Sequence, residues 1–149
     1  MKQIKNLKLP SSDEKIFNLK NENGYIVIYF YPKNFTSGCS IEASDFKKKY
    51  KDFKKNKCEI IGISADTIDS HKKFIKKYDI PFRLLSDENK KIIKKLKVWG
   101  KKTMYGNSFY GIKRTTYLLN PKKKVLKIWN NVKVKNHVNE VFKTLILNK

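Results

Sequence analysis

Cysteine is scarce in this chain: Cys39 and Cys58 are the only two in 149 residues, and their positions are unrelated. Two such residues do not make the disulfide framework of a small secreted domain, and they fit a reducing compartment. Histidine is equally scarce, with His71 and His137 alone, so no His/Cys metal cluster and no cofactor are expected. No apolar run approaches membrane length, and Met1-Lys2-Gln3-Ile4-Lys5 has no apolar segment behind it. The expectation is a protein without signal peptide or membrane span, located in the cytoplasm. A glycine-rich phosphate fingerprint and a Ser-His-Asp arrangement are also missing.

Acidic residues are few as well, 13 against 35 basic ones, which leaves a formal charge of +22. Such a charge predicts non-specific, salt-sensitive adhesion to nucleic acid. A dedicated binding face would concentrate the charge and favour arginine for bidentate phosphate contacts. Here the lysines lie on almost every predicted element, and Arg83 and Arg114 are the only arginines. The charge therefore reads first as solvated surface.

What is present is a core. A length of 149 residues suits one domain able to bury its own apolar side chains. Tyr25–Tyr31 is an unbroken apolar, β-branched and aromatic run of strand length, and Pro32 ends it because proline cannot donate to a ladder. A short polar loop follows. Ile41, Ala43, Phe46, Tyr50 and Phe53 then recur at helical spacing to about Lys55, with Thr36 or Ser37 as cap. Cys39 thus falls in the first turn of a helix, where unpaired amides and the positive dipole end favour a thiolate.

Upstream, residues 1–15 read as an edge segment and Ile16–Leu19 as a short strand. Downstream, Cys58–Ser64 is a second buried strand, followed by a helix with Ile68, Phe74, Ile75 and Tyr78 inward. Arg83–Leu85 is a brief strand, and Ser86 or Asp87 caps a helix burying Ile92, Ile93, Leu96 and Val98. Trp99–Gly111 reads as a glycine- and aromatic-containing loop. Arg114–Leu119 and Val125–Trp129 form a hairpin around Asn120-Pro121-Lys122-Lys123. Asn136–Leu147 is a last helix with Val138, Val141, Phe142, Leu145 and Ile146 on one face. This order predicts an α/β domain with a central mixed sheet flanked by helices.

Pro32-x-x-x-Thr36-x-x-Cys39 has the Pro-x-x-x-Thr/Ser-x-x-Cys form of the peroxiredoxins. The longer string Phe30-Tyr31-Pro32-Lys33 through Gly38-Cys39-Ser40 and Glu42-Ala43 resembles the bacterioferritin comigratory protein (peroxiredoxin Q) subfamily. Gly62-Ile63-Ser64, Leu84-Leu85-Ser86-Asp87, Val98-Trp99-Gly100, Tyr105-Gly106, Gly111-Ile112-x-Arg114 and Asn136-His137 extend the resemblance over Leu9–Leu147. It implies a thioredoxin-like fold and a thiol peroxidase acting on hydrogen peroxide and small organic hydroperoxides.

Reducing a peroxide needs a nucleophilic sulfur, donors for the peroxide oxygens and charge stabilisation for the departing oxygen. The resemblance makes Cys39 the peroxidatic nucleophile and Thr36 a hydroxyl donor. Pro32 becomes the shield of the sulfur, and Arg114 the guanidinium that reaches it. Glu42, three residues after Cys39, faces the same side of the helix and would either anchor Arg114 or serve the helix dipole. Arg83 is expected at the surface; Trp99, Tyr105 and His137 are expected to pack.

The chain departs from its subfamily at Ser44, where a resolving cysteine commonly stands. Cys58 lies beyond a helix of ~24 Å at 1.5 Å per residue, while a disulfide needs Cα atoms within about 7 Å. A one-cysteine mechanism follows, with an external thiol such as thioredoxin, glutaredoxin or glutathione as reductant. The other reading kept open is a basic thioredoxin-like binding module for nucleic acid or an acidic partner, with Cys39 as a redox sensor.

Overall fold

Residues 25–30 carry an apolar side chain at every position, so a strand formed from them must be covered on both faces. In the computed structural model, which describes residues 2–149, this segment is the central strand of a five-stranded sheet. The elements in chain order are β1 (Lys8–Pro10), β2 (Ile16–Asn18), β3 (Tyr25–Phe30), α1 (Ser37–Lys55), β4 (Cys58–Ser64), α2 (Ile68–Tyr78) and β5 (Arg83–Ser86). They continue with α3 (Lys91–Lys95), β6 (Trp99–Met104), β7 (Asn107–Ile112), β8 (Thr115–Leu119), β9 (Val125–Trp129) and α4 (His137–Leu147).

The main sheet has the order β5-β4-β3-β8-β9. β3 runs parallel to β4, and β4 to β5, while β8 is antiparallel to both β3 and β9. This is the mixed sheet that the sequence predicts. Alternate residues of β3 serve opposite faces, as a two-residue period requires. Ile26, Ile28 and Phe30 pack with the N-terminal segment, Leu85, Ile93 and Tyr117. Val27, Tyr29 and Tyr31 pack with α1, α2 and α4 through Phe46, Phe53, Phe74 and Val141.

Strand register places the site. Phe30, the last residue of β3, pairs with Thr115, the first of β8. The loop leaving β3 therefore meets the residue entering β8, Arg114. On the other side Phe30 pairs with Ile63, so the end of β4 lies beside the same loop.

Several expectations change. Trp99–Gly111 is a two-stranded hairpin, β6 with β7, in register from Trp99↔Ile112 to Met104↔Asn107. Its turn is Tyr105-Gly106, both at positive φ (51° and 78°), the backbone twist that suits two-residue hairpins. Three glycines and the exposed aromatics hid the strand alternation, and Tyr105, expected to pack, is 96% exposed. Ile41 and Ile146 share the helical spacing of the core but point outward. α3 is only five residues long; Asp87 supports it by accepting from the Ile93 amide at 2.8 Å. Leu96 is its cap and is only half-buried.

Phe46 lies at the centre of the α1 face, fully buried, with its ring 4.7 Å from that of Tyr29 and edge-on to Phe82 and His137. Phe46→Ala should cost about 3–5 kcal/mol, read as a lower urea midpoint at unchanged slope.

Candidate active site

The ladder of β3 reaches one residue past its end, with the Tyr31 amide donating to Ile63 O at 3.1 Å. Pro32 has no amide to continue it, so the chain leaves the sheet there. Phe35 then takes a left-handed backbone (φ 67°), which costs a non-glycine residue about 1–2 kcal/mol. That turn points the next residues along α1. Thr36 occupies the cap position of α1, but its hydroxyl donates to Lys33 O at 2.9 Å and does not cap the helix. The side-chain cap expected from sequence is thus replaced by a bond that closes the loop on itself.

The first intrahelical bond of α1 runs from the Ser40 amide to Thr36 O at 2.9 Å. The amides of Ser37, Gly38 and Cys39 precede it and have no acceptor within the helix. Cys39 is the third helical residue and is 1% exposed. Its sulfur is therefore enclosed, in the half-turn where free amides favour negative charge.

Arg114, at the entrance to β8, closes the site from the opposite side. Its Nη2 lies 3.5 Å from Cys39 Sγ, and its Nη1 donates to Glu42 Oε1 at 2.7 Å. Backbone bonds hold the junction: Lys113 N donates to Val98 O, and Val132 N to Arg114 O at 2.9 Å. Gly38 leaves room for this approach: a Cβ on it would stand 3.1 Å from Arg114 Nη2, close enough to push the guanidinium by a few tenths of an ångström. Of the two sequence readings of Glu42, the anchor for Arg114 is the one its side chain adopts.

Glu42 is fully buried, and its second oxygen, Oε2, has no hydrogen-bond partner among the described residues. Burial pushes its carboxyl up to about 7, against the downward pull of the Arg114 guanidinium. Arg114 is raised on balance: burial alone would lower it, but Glu42 and Cys39 outweigh that. His137, the first residue of α4, bonds the Thr116 hydroxyl at 2.8 Å and packs edge-on to Trp129. Burial, with the charge of Arg114, pushes it down to about 4, so it is a neutral core neighbour as expected.

Cys58 is the first residue of β4, 1% exposed, and burial pushes its thiol up to about 12. Both cysteines are free. α1 spans 19 residues, ~28 Å at 1.5 Å per residue, with Cys39 in its first turn and Cys58 three residues past its end. Ser44 sits within α1, about 140° around the helix from Cys39.

Arg83 is not a plain surface residue: it bonds Glu22 at 2.7 Å and covers the Phe17 ring. Sequence reasoning missed the polar cluster beneath the Pro32–Thr36 loop, formed by Tyr31, Asn34, Asp66, Ser70 and His71. A signal for it existed. His71 precedes Phe74, Ile75 and Tyr78 at helical spacing and so belongs to the buried stripe of α2.

Residues 1–128 match the family described as AhpC/TSA. The chain is 42% identical over 121 residues to peroxiredoxin Bcp of Bacillus subtilis, covering 81% of this chain and 77% of that one. Its structure superposes on a cysteine-to-serine mutant of Xanthomonas campestris peroxiredoxin Q with a TM-score of 0.90, at 36% identity. That match covers 96% of this chain and 92% of the other. A Xanthomonas campestris bacterioferritin comigratory protein, solved for its alkyl peroxide reduction activity, also superposes with a TM-score of 0.90. There the identity is 33% and the coverage 99% of both chains.

The folded state holds a proton on Glu42 above its ordinary 4.5, so it binds more protons than the unfolded chain between 4.5 and about 7. Stability from this group is complete below that window and falls as pH rises through it. Urea unfolding of the native protein beside Glu42→Gln should show the difference, native minus variant, declining from pH 4.5 to 7 and level above.

Proposed function

The chain belongs to the AhpC/TSA family, in its Bcp/peroxiredoxin Q branch, and is a thiol-dependent peroxidase with a thioredoxin-like fold; on that premise we propose that it works through Cys39 alone. The supporting observation is the fork of Arg114, which reaches the Cys39 sulfur with one nitrogen and Glu42 with the other. A guanidinium so placed stays charged and serves both the thiolate and a peroxide oxygen.

In this reading the Cys39 thiolate attacks the terminal oxygen of a hydroperoxide. An S–O bond forms as the O–O bond breaks, and the departing hydroxide or alkoxide takes up a proton to leave as water or alcohol. Arg114 and the free amides of the first turn stabilise the charge that moves onto oxygen. Thr36 turns its hydroxyl from Lys33 O to the bound peroxide, and Pro32 keeps bulk water from the sulfur. Hydrogen peroxide and small organic hydroperoxides are the substrates.

The product is a sulfenic acid on Cys39. Ser44 has no thiol to trap it, and Cys58 lies behind the length of α1. An external thiol therefore attacks the sulfenic sulfur, releasing water and forming a mixed disulfide. A second thiol then frees Cys39 and leaves with the external disulfide. Thioredoxin, glutaredoxin and glutathione all fit this role. The two free cysteines agree with the reducing cytoplasm as its location. Among the described residues no helix is long and apolar enough to cross a membrane. Family membership does not favour the alternative of a basic module with a sensor cysteine.

Intact mass after one equivalent of hydrogen peroxide should show one or more added oxygens in the native chain and in Cys58→Ser, and none in Cys39→Ser. Loss of two hydrogens in the native chain would mean a Cys39–Cys58 disulfide and end the one-cysteine reading. Arg114→Ala should lower the second-order rate of Cys39 oxidation by ~10²–10³, measured by stopped flow, with Cys58→Ser unchanged.

A further inference from the structure

Beneath the loop that carries Thr36 lies a closed set of polar side chains with no part in the chemistry above. Asn34, 2% exposed, is its hub. Its Oδ1 accepts from the Tyr31 hydroxyl at 2.6 Å, and its Nδ2 donates to Ser70 Oγ at 3.1 Å and to His71 Nδ1 at 2.9 Å. Its backbone amide donates to Asp66 Oδ2 at 3.0 Å, and that carboxylate also accepts from Ser64 Oγ at 2.6 Å. Every polar group of Asn34's side chain is thereby used, and loop, β4 and α2 are tied at one residue.

The protonation of His71 is fixed by its partners. Its Nε2 faces Leu85 O at 3.0 Å, a group that only accepts, so Nε2 carries the hydrogen. Nδ1 faces an Asn34 amide hydrogen and must present a lone pair. The ring is therefore neutral, and it is 0% exposed. A second proton, on Nδ1, would set two donors against each other at 2.9 Å in a fully buried site.

We infer that neutral His71 is a positioning residue for the peroxide site, holding the Pro32–Thr36 loop through Asn34, and that its protonation releases that loop. Next in the chain after Asn34 is Phe35, whose left-handed backbone must be held by its surroundings, and then Thr36. An unpinned Asn34 frees both. The inference rests on Cys39 being the peroxidatic nucleophile. Burial pushes His71 below its ordinary 6.5, so the loop is held at neutral pH and released only in acid. The groups facing the ring are the Tyr31 hydroxyl at 3.4 Å from Nδ1, the Asn34 amide and the Leu85 carbonyl, and the Asp66 carboxylate acts on it through its charge. Burial keeps the Tyr31 hydroxyl un-ionised, so Asp66 is the one charge among them, and it opposes the shift only in part.

Two variants separate the two bonds of the ring. An asparagine oxygen stands near the place of Nδ1, so His71→Asn keeps an acceptor for Asn34. A glutamine nitrogen stands near the place of Nε2, so His71→Gln keeps the donor to Leu85 O and loses that acceptor. The readout is the second-order rate of Cys39 oxidation by hydrogen peroxide, taken from pH 4.5 to 8 for the native chain and both variants. His71→Gln should be slower at pH 7 by ~10–100-fold, the size expected when a catalytic group is misplaced by about 1 Å. His71→Asn should stay within a few-fold of native. The ratio of native to His71→Asn rate should fall as pH drops below 6.5. Equal rates for His71→Gln and native protein, equal losses in both variants, or a ratio flat with pH would each overturn the inference. If the native chain itself leaves Cys39 unoxidised, the peroxidase reading fails instead, so the two failures are distinguishable.

Discussion

One guanidinium ties the site together. Arg114 divides its fork between the Glu42 carboxyl and the Cys39 sulfur, so one planar group sets the separation and relative orientation of both. Such a contact is only useful if neither partner can drift, and the surroundings see to that. Cys39 and Glu42 are three residues apart on one helix and are joined by a rigid turn. Arg114 is fixed by strand register, since Phe30 pairs with Thr115 in the main sheet. Gly38 leaves the space in which the guanidinium lies.

Burial gives this contact its strength and also its cost. A charge taken out of water is destabilising unless partners replace the solvent. Arg114 has its partners, but for Glu42 burial outweighs the pull of Arg114, so its carboxyl is pushed up to about 7. Cys58 shows the same effect of burial, with its thiol 3.6 Å from Glu59 O. Sealed at the start of β4, its thiol is pushed up to about 12 and is a poor nucleophile at neutral pH. Cys39, equally buried, stands instead at a helix start with the Arg114 guanidinium 3.5 Å from its sulfur.

The strands β3, β4 and β9, the long helix α1 and the cysteine at its start were legible because periodicity and Pro32 mark them directly. The mixed sheet followed from element order, since three parallel strands need helical crossovers. Ile41 and Ile146 were misplaced because helical spacing alone does not say which side of a wide apolar stripe meets the core. The β6–β7 hairpin was hidden for another reason. Its strands bury little, so they carry no clear apolar alternation, and only the Tyr105-Gly106 turn marks them. Thr36 was placed correctly and its bond was not: its hydroxyl donates back to the loop carbonyl of Lys33 and accepts from no helix amide.

The sequence by itself determined the family and the absence of a thiol at position 44, and it singled out Cys39 at a helix start, since these depend on residue types at short spacing. Tertiary structure brings Arg114, 75 residues from Cys39, to 3.5 Å from its sulfur, where the resemblance alone had put it. It also decided that Glu42 serves Arg114, and that Asn34 and His71 meet under the loop. Local pattern carries the direction in which a side chain points from its own element. Which element it then meets depends on sheet order and register, and those are set by burying two faces of β3 at once.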